Sequence, residues 1–231
     1  MPRPWTVTRH RPLEKLEDNL WALDADMHGR APFNRRMAIV KLADGRLVFF
    51  NPVPMDDAAL AEVRAWGQPA FLVVPHGMHK TDTHPFRAKL GVKVVTPASA
   101  RARVEKLAPV DGDLDLVPAD PGLTVETVGG SKGEAIFIVK SGDRTSLVFA
   151  DLYMHIPPPV PFFMRLMGWS GQPQIAPFMW RRFFMKDRKA VHAYVERLAA
   201  LPGLVRLVPT HGPIVETDAA GLLRRLNAPL A

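Results

Sequence analysis

His76-Gly-Met-His79-Lys-Thr-Asp82-Thr-His84 gathers three of the chain's eight histidines and an aspartate into one short stretch. It directly follows Ala70-Phe-Leu-Val-Val-Pro75, an apolar segment short and branched enough for a buried strand. A buried strand that ends in polar residues is how an open α/β sheet presents a site at its carboxyl edge. Two later segments repeat the pattern. Thr145-Ser-Leu-Val-Phe-Ala150 runs into Asp151, and Leu204-Val-Arg-Leu-Val208 runs through Pro209-Thr210 into His211-Gly212. Side by side, these ends bring His76, His79, Asp82, His84, Asp151 and His211 to one rim. Imidazole and carboxylate together suit zinc, iron or manganese. The competing reading is that several of them are ordinary loop residues, since His and Asp are common at strand exits.

The composition narrows the class. A chain of 231 residues, 47% hydrophobic and 23% charged, is expected to fold as one domain over 1–231 with a full core. No apolar run reaches the roughly 18 residues of a spanning helix. Met1-Pro-Arg-Pro-Trp5 leads into no apolar region, so a secretory signal is not expected. Cysteine is absent, which excludes disulfides and thiolate ligands and fits a cytoplasmic setting. The net charge of +7 is spread along the chain and accompanied by no nucleic-acid-binding signature, so no specific nucleic-acid partner is expected.

Along the chain, Asn19-Leu-Trp21-Ala-Leu23 reads as a first edge strand. Arg36–Leu42 and Arg46–Phe50 flank Asp44-Gly45, a hairpin signal, and Asn51-Pro-Val-Pro54 must end the second strand. Asp56 caps a helix through Trp66, closed by Gly67. His84–Leu90 is a short helix with Gly91 at its end, Val92–Thr96 a strand and Ser99–Leu107 a helix. Short strands are expected around Leu114–Val117 and Leu123–Val128. Glu134–Val139 and Thr145–Phe149 form a second hairpin across Ser141-Gly142-Asp143. A helix spans Pro177 to Leu198, and Asp218 or Thr217 caps a terminal helix. Each half thus reads hairpin, helix, strand, helix, which implies two sheets stacked centrally with helices outside.

In this order, Met37-Ala-Ile-Val-Lys-Leu-Ala-Asp-Gly45 with Asn51-Pro-Val-Pro54, Leu72-Val-Val-Pro-His-Gly-Met-His79, Ser146-Leu-Val-Phe-Ala-Asp151 and Val208-Pro-Thr-His-Gly212 resemble the metallo-β-lactamase fold, and within it a divergent subgroup with a degenerate HxHxDH motif. The resemblance implies an α+β, αββα four-layer sandwich, two central mixed β-sheets flanked by helices. It implies metal ligation by His76, His79, His84, Asp151 and His211. The family's histidine before the second hairpin is missing, because that segment reads Gly129-Gly130-Ser131-Lys132-Gly133. The cofactor expected is therefore one divalent metal ion (zinc, iron or manganese), or none if the site is degenerate. Asp82 ligates, holds a histidine from behind, or serves as catalytic base toward water; it equally pairs with Lys80 as a plain loop residue. Lys80 and Lys132 are substrate-binding candidates for an anionic group, or else solvated charges. The activity implied is hydrolysis of a small-molecule ester, lactone, thioester or phosphoester by a metal-activated water. The alternative is a non-catalytic descendant of the fold with a binding or assembly role.

An aromatic and methionine-rich helical insert at about 152–200 separates Asp151 from His211. It holds Tyr153-Met-His-Ile-Pro-Pro-Pro-Val-Pro-Phe-Phe-Met-Arg-Leu-Met-Gly-Trp169 and Phe178-Met-Trp180-Arg-Arg-Phe183-Phe184-Met185-Lys186. Such residues cover a sheet face, wall an apolar substrate pocket, or make a homodimer or membrane-surface contact through residues 153–185.

Overall fold

A computed structural model of the protein describes residues 3–29, 33–166 and 168–231. Strands β1 (Glu14–Glu17), β2 (Leu20–Asp26), β3 (Asn34–Lys41), β4 (Arg46–Phe50), β5 (Gln68–Val73) and β6 (Lys93–Val95) make one sheet in that order. It is antiparallel from β1 to β4 and parallel from β4 to β6. The second sheet contains β7 (Leu123–Thr127), β8 (Ala135–Ser141) and β9 (Arg144–Phe149), then β12 (Leu204–Pro209) parallel to β9 at its far edge. The short strands β10 (Tyr153–Met154) and β11 (Gln174–Ile175) pair only with each other. Helices α1 (Asp57–Trp66), α2 (Thr83–Leu90) and α3 (Ala98–Val104) come from the first half. Helices α4 (Phe162–Leu166), α5 (Phe178–Phe183), α6 (Arg188–Ala199) and α7 (Ala219–Asn227) come from the second. None of these is long and apolar enough to cross a membrane.

The period-two alternation of the strands sorts their side chains into separate cores. Between the sheets, Val40, Val48, Phe50 and Val73 meet Phe137, Val139, Val148 and Val208. The rings of Phe50 and Phe137 pack edge to face across the gap with centroids 4.7 Å apart. The alternate residues Ile39, Phe49, Leu72 and Val94 face Leu60, Val63 and Phe86 of α1 and α2. On the opposite outside, Ile136, Ile138, Leu147 and Leu207 face Trp180, Val191, Val195 and Leu223 of α5, α6 and α7. Burial on both faces is why these strands read as continuous apolar runs. Two mixed sheets between helices is the architecture the sequence led us to expect. Val73, Val74, Ile136, Ile138, Leu147 and Phe149 are all buried, as that architecture requires.

The turn at Asp44-Gly45 and the Asp56 cap on Ala59 N–H are found as expected. Gly67 closes α1 as expected, in extended backbone with its N–H on Val63 O. Other details differ. Leu20–Leu23 is not an edge strand, because β1 lies outside it. Leu114–Leu116 forms a single 3-10 turn in place of a strand. The helix expected from Pro177 to Leu198 is two helices. Its break falls where Lys186 and Asp187 donate their backbone N–H groups to Gly130 O and the Asp187 carboxylate caps Ala190. A new N-cap outcompetes continuation of the first helix.

Phe137→Ala empties part of the layer between the sheets and is expected to lower the unfolding free energy by about 3–5 kcal/mol in urea titration. Phe163→Ala, on exposed α4, is expected to change it by no more than about 0.5 kcal/mol.

Candidate metal centre

Three parallel-strand ends deliver the site. Beyond β5 the chain continues through Val74, whose N–H is held by Val95 O at 2.9 Å, and Pro75, whose carbonyl accepts from Ala135 of the other sheet at 2.9 Å. His76 follows at once. Asp151 lies just past β9, and His211 just past β12, whose last turn is pinned by Thr210 N–H donating to Phe149 O at 2.9 Å. The three therefore arrive at the same edge from both sheets.

Asp151 is the hub. Its Oδ2 lies 3.0 Å from His76 Nε2, and its Oδ1 lies 3.2 Å from His79 Nε2 and 3.7 Å from His211 Nε2. Donor atoms of His76, His79 and Asp151 all fall within 4.8 Å of one another. His76 Nε2 is fully buried and lies 3.0 Å from the Asp151 carboxylate without a well-aligned hydrogen bond. Three imidazole nitrogens converging on one carboxylate, with His79 Nε2 within hydrogen-bonding distance of it at 3.2 Å, make an arrangement that could also hold a common ion.

The remaining ring nitrogens support this. His79 Nδ1 donates to Asn51 Oδ1 at 3.0 Å, and His211 Nδ1 donates to the Asn34 carbonyl at 2.7 Å. Each bond sets the tautomer that leaves the Nε2 lone pair facing Asp151, the usual way a metal-binding imidazole is oriented. Asn51 manages this in a left-handed conformation (φ 65°), which asparagine tolerates, while its amide donates to Arg36 O at 2.8 Å. His211 is fixed further by the β3 entry. Gly212 N–H donates to Asn34 Oδ1 at 2.7 Å, and the buried Arg36 guanidinium donates to Pro209 O at 2.6 Å and Gly212 O at 2.8 Å while pairing with Asp24. Gly212 is required here: its φ is 106° and a Cβ would stand 1.8 Å from His155 O.

A buried acid behind Asp151 was not among the sequence candidates. Glu134 Oε1 accepts from the Asp151 and Leu152 N–H groups at 3.0 and 2.9 Å, and its Oε2 accepts from Trp180 Nε1 at 2.6 Å. Its only sequence signal is a carboxylate abutting the apolar run Ala135–Val139. The segment before it has no room for the histidine that the fold resemblance called for. A Cβ on Gly130 would lie 2.6 Å from Asp187 O, because this turn is packed on the start of α6.

The electrostatics follow from burial. Burial alone would raise Asp151, but the imidazoles of His79 and His76 outweigh it and hold the carboxyl well below its usual range. Burial opposes the charge on His76 too, yet Asp151 keeps its pKa above the ordinary value. Burial prevails at His79, pushed down to about 4, and at His211, also lowered. Both are thus neutral, as ligands must be. Glu134, buried with hydrogen-bond donors but no direct cationic partner, is pushed up to about 7.

The other sequence candidates sit around this group. Asp82 is fully buried at the start of α2, ion-paired to Arg35 and hydrogen-bonded to His28 Nε2 at 2.7 Å. His84 stands in the first turn of α2, outside the group at Asp151. Lys80 donates to Arg103 O at 3.1 Å. Lys132 lines a separate cavity behind His76, with Ser99 and Arg103. Neither lysine lines the cavity over the His–Asp group, a space of about 370 Å³ whose walls include His28, Arg35, Asp82, Met154, Trp169 and Phe184.

Compared as a three-dimensional structure, the chain superposes on DIM-1 metallo-β-lactamase with a TM-score of 0.66, over 98% of this chain and 100% of that one, at 12% identity. The fold is that of the metallo-β-lactamases. The mono-zinc form of the metallo-β-lactamase FIM-1 from Pseudomonas aeruginosa gives a TM-score of 0.61 at 13% identity, covering 97% of this chain and 98% of that one. A metallo-β-lactamase from Hirschia baltica gives 0.60 at 16% identity, covering 94% and 98%. No family model and no curated protein matches the sequence. In this metallo-β-lactamase-like chain, the edge shared by both sheets is where His76, His79, Asp151 and His211 meet.

Glu134 gives the metal-free protein a measurable pH signature. Its carboxyl ionises near 7 when folded against a reference of 4.5, so folding takes up a proton between those values. Its contribution to stability is full below the lower value and is lost as pH rises through the upper one. Between about pH 5 and about pH 8, the melting temperature of the metal-free wild type is expected to fall relative to Glu134→Gln. A pH-independent difference between the two would show that the buried carboxyl carries no such burden.

Proposed function

We propose that this protein is a metal-dependent hydrolase of a small molecule, holding one divalent ion, zinc foremost with iron or manganese as alternatives, at His76, His79, Asp151 and His211. The observation that carries the reading is the orientation of the imidazoles: two are locked by carbonyl oxygens with Nε2 toward Asp151, and the third has a buried Nε2 without a partner. When bound, such an ion supplies Lewis acidity and lowers the pKa of a water toward neutrality. The solved neighbours are metallo-β-lactamases by name, one of them in a mono-zinc form, which supports a single ion here. So does the surrounding chemistry. Gly130 offers no donor, His84 stands apart, and the charge of Asp82 is already balanced by Arg35.

The chain's own groups divide the remaining work. Asn51 and Asn34 hold the ligand rings, and Glu134 holds the backbone that carries Asp151. Trp180, Phe183 and Phe184 exclude water from the cavity over them. Asp82, the sequence's candidate base, acts through His28: accepting from Nε2–H, it leaves Nδ1 to take and return a proton in the same cavity. The bond broken is that of an ester, lactone, thioester or phosphoester. A second reading concerns contacts. Phe162, Phe163 and Leu166 on α4 and Phe178 and Phe183 on α5 are exposed, which favours a partner or membrane surface against residues 153–185. Flotation with anionic vesicles tests the lipid version, and no binding removes it.

Zinc titration of chelator-treated protein tests the main reading. One equivalent is expected to bind, raising stability by about 2.7 kcal/mol at a hundredfold excess over Kd, and His79→Ala or His211→Ala is expected to weaken binding at least tenfold. The raised His76 must release its proton to become a ligand, so near pH 7 the binding heat is expected to vary with the ionisation enthalpy of the buffer, and affinity to fall as pH falls. Less than about 0.2 equivalents of zinc, iron or manganese after supplementation would overturn the hydrolase reading in favour of a non-catalytic descendant of the fold.

A further inference from the structure

The cavity over the His–Asp group is walled almost entirely by carbon and sulfur. Met27 comes from the end of β2, Met78 from the histidine loop, and Met154, Trp169, Met179 and Phe183 from the insert. Several of the polar groups on these walls are already used, while His28 Nδ1 and the Thr81 hydroxyl remain, neither of them a fixed cation. Trp180 N–H donates to Glu134, and Trp169 N–H donates to Met154 Sδ at 2.9 Å. Both indoles therefore satisfy their donors within the protein. The Asn51 amide serves His79 and Arg36. Among the described residues Arg35 is the only lysine or arginine lining the space, and it is bound to Asp82. A carboxylate or phosphate on the substrate would find no free cation on these walls.

We infer that the substrate is an uncharged acyl ester, lactone or thioester whose acyl part is a flexible, medium-length aliphatic chain lying in this methionine-lined cavity, with its carbonyl over Asp151. The cavity of about 370 Å³ lies within the roughly 300–1,000 Å³ range of small-molecule sites. Methionines on several sides suit a chain of many rotamers better than a rigid ring, because their unbranched side chains repack around it. A dry apolar wall holds water poorly, so each methylene that displaces it adds to binding. The assignment rests on the hydrolase reading for the reaction and on the cavity alone for the chain. It narrows the reaction to acyl transfer to water: the carbonyl carbon gains the water oxygen, the bond to the alcohol or thiol breaks, and the proton passes to the leaving group.

Two arms test it. In the first, the zinc-free protein is titrated calorimetrically with 1-butanol, 1-hexanol, 1-octanol and 1-decanol. The Kd is expected to fall about three- to fourfold per added methylene, the value of about 0.8 kcal/mol per CH₂ at about 1.4 kcal/mol per tenfold. Met179→Glu, at a half-buried position on the wall, is expected to weaken 1-octanol binding at least tenfold. Met78→Glu, on an exposed side chain, does the same where the first variant fails to fold. In the second arm, kcat/KM of the zinc-loaded protein on p-nitrophenyl acyl esters is expected to rise in the same progression from acetate to octanoate. Binding independent of chain length, or unchanged in both variants, overturns the acyl-chain assignment even if zinc binds. Chain-length-dependent alkanol binding without zinc uptake leaves the apolar site standing and overturns the hydrolase reading instead.

Discussion

An ionised carboxylate removed from water is the constraint around which this molecule is arranged. Asp151 lies buried between two sheets, where an unpaired charge would cost several kcal/mol. Its charge is met by His76, whose pKa is raised beside it, and the neutral rings of His79 and His211 close around it, all three from sites 60 to 75 residues away along the chain (76 and 79 before it, 211 after it). Only a fold that ends β5, β9 and β12 at one edge can supply them together. The straps beyond those strands follow from the same need. Arg36 clamps the carbonyls on either side of His211, and Asn51 gives up an ordinary backbone conformation to face His79.

Two acids lie back to back here, and burial drives them apart. Asp151 and Glu134 are both buried, and a hydrogen bond from the backbone of Asp151 to the side chain of Glu134 links them. Asp151 faces imidazoles that can carry positive charge, so Coulomb attraction defeats desolvation. Glu134 receives only N–H dipoles from two amides and an indole, and desolvation wins. Proximity to charge, more than depth, sets the sign of each shift.

The strands were legible because burial on both faces writes itself as unbroken Val, Ile, Leu and Phe, and turns such as Asp44-Gly45 punctuate them. The helix starts at Asp56 and Asp218 were legible through their capping carboxylates. Of the site, residues directly at strand ends could be read from the chain, and His76, His79, Asp151 and His211 do come together. His84, on the first turn of α2, illustrates how a histidine in the right stretch can fall outside the group at Asp151 once a helix begins. The supporting groups had no pattern to reveal them. Asn51 looked like the turn residue before Pro52, Asn34 lay in a weakly patterned stretch, and Glu134 acquires its role only through contacts with Asp151 and Trp180, both distant in sequence. The break between α5 and α6 was hidden for the same reason, since it is set by the carbonyl of Gly130 on another segment.

The way the aromatic wall is fastened has a consequence for variation. The segment from β10 through α5 is anchored by buried residues such as Tyr153 and Trp180, by the Trp180 indole on Glu134, by His155 N–H on the His211 carbonyl, and by the backbone bonds of Phe184, Lys186 and Asp187 to the 130–132 turn, while other positions on it face the cavity. The His–Asp group, by contrast, is locked into both sheets. Positions such as Trp169 and Met179, only half-buried on that wall, can therefore vary and reshape the cavity while the His–Asp group beneath them keeps its geometry. A mutational library confined to those half-buried positions would vary the cavity wall at less cost to the fold than one aimed at the buried His–Asp group.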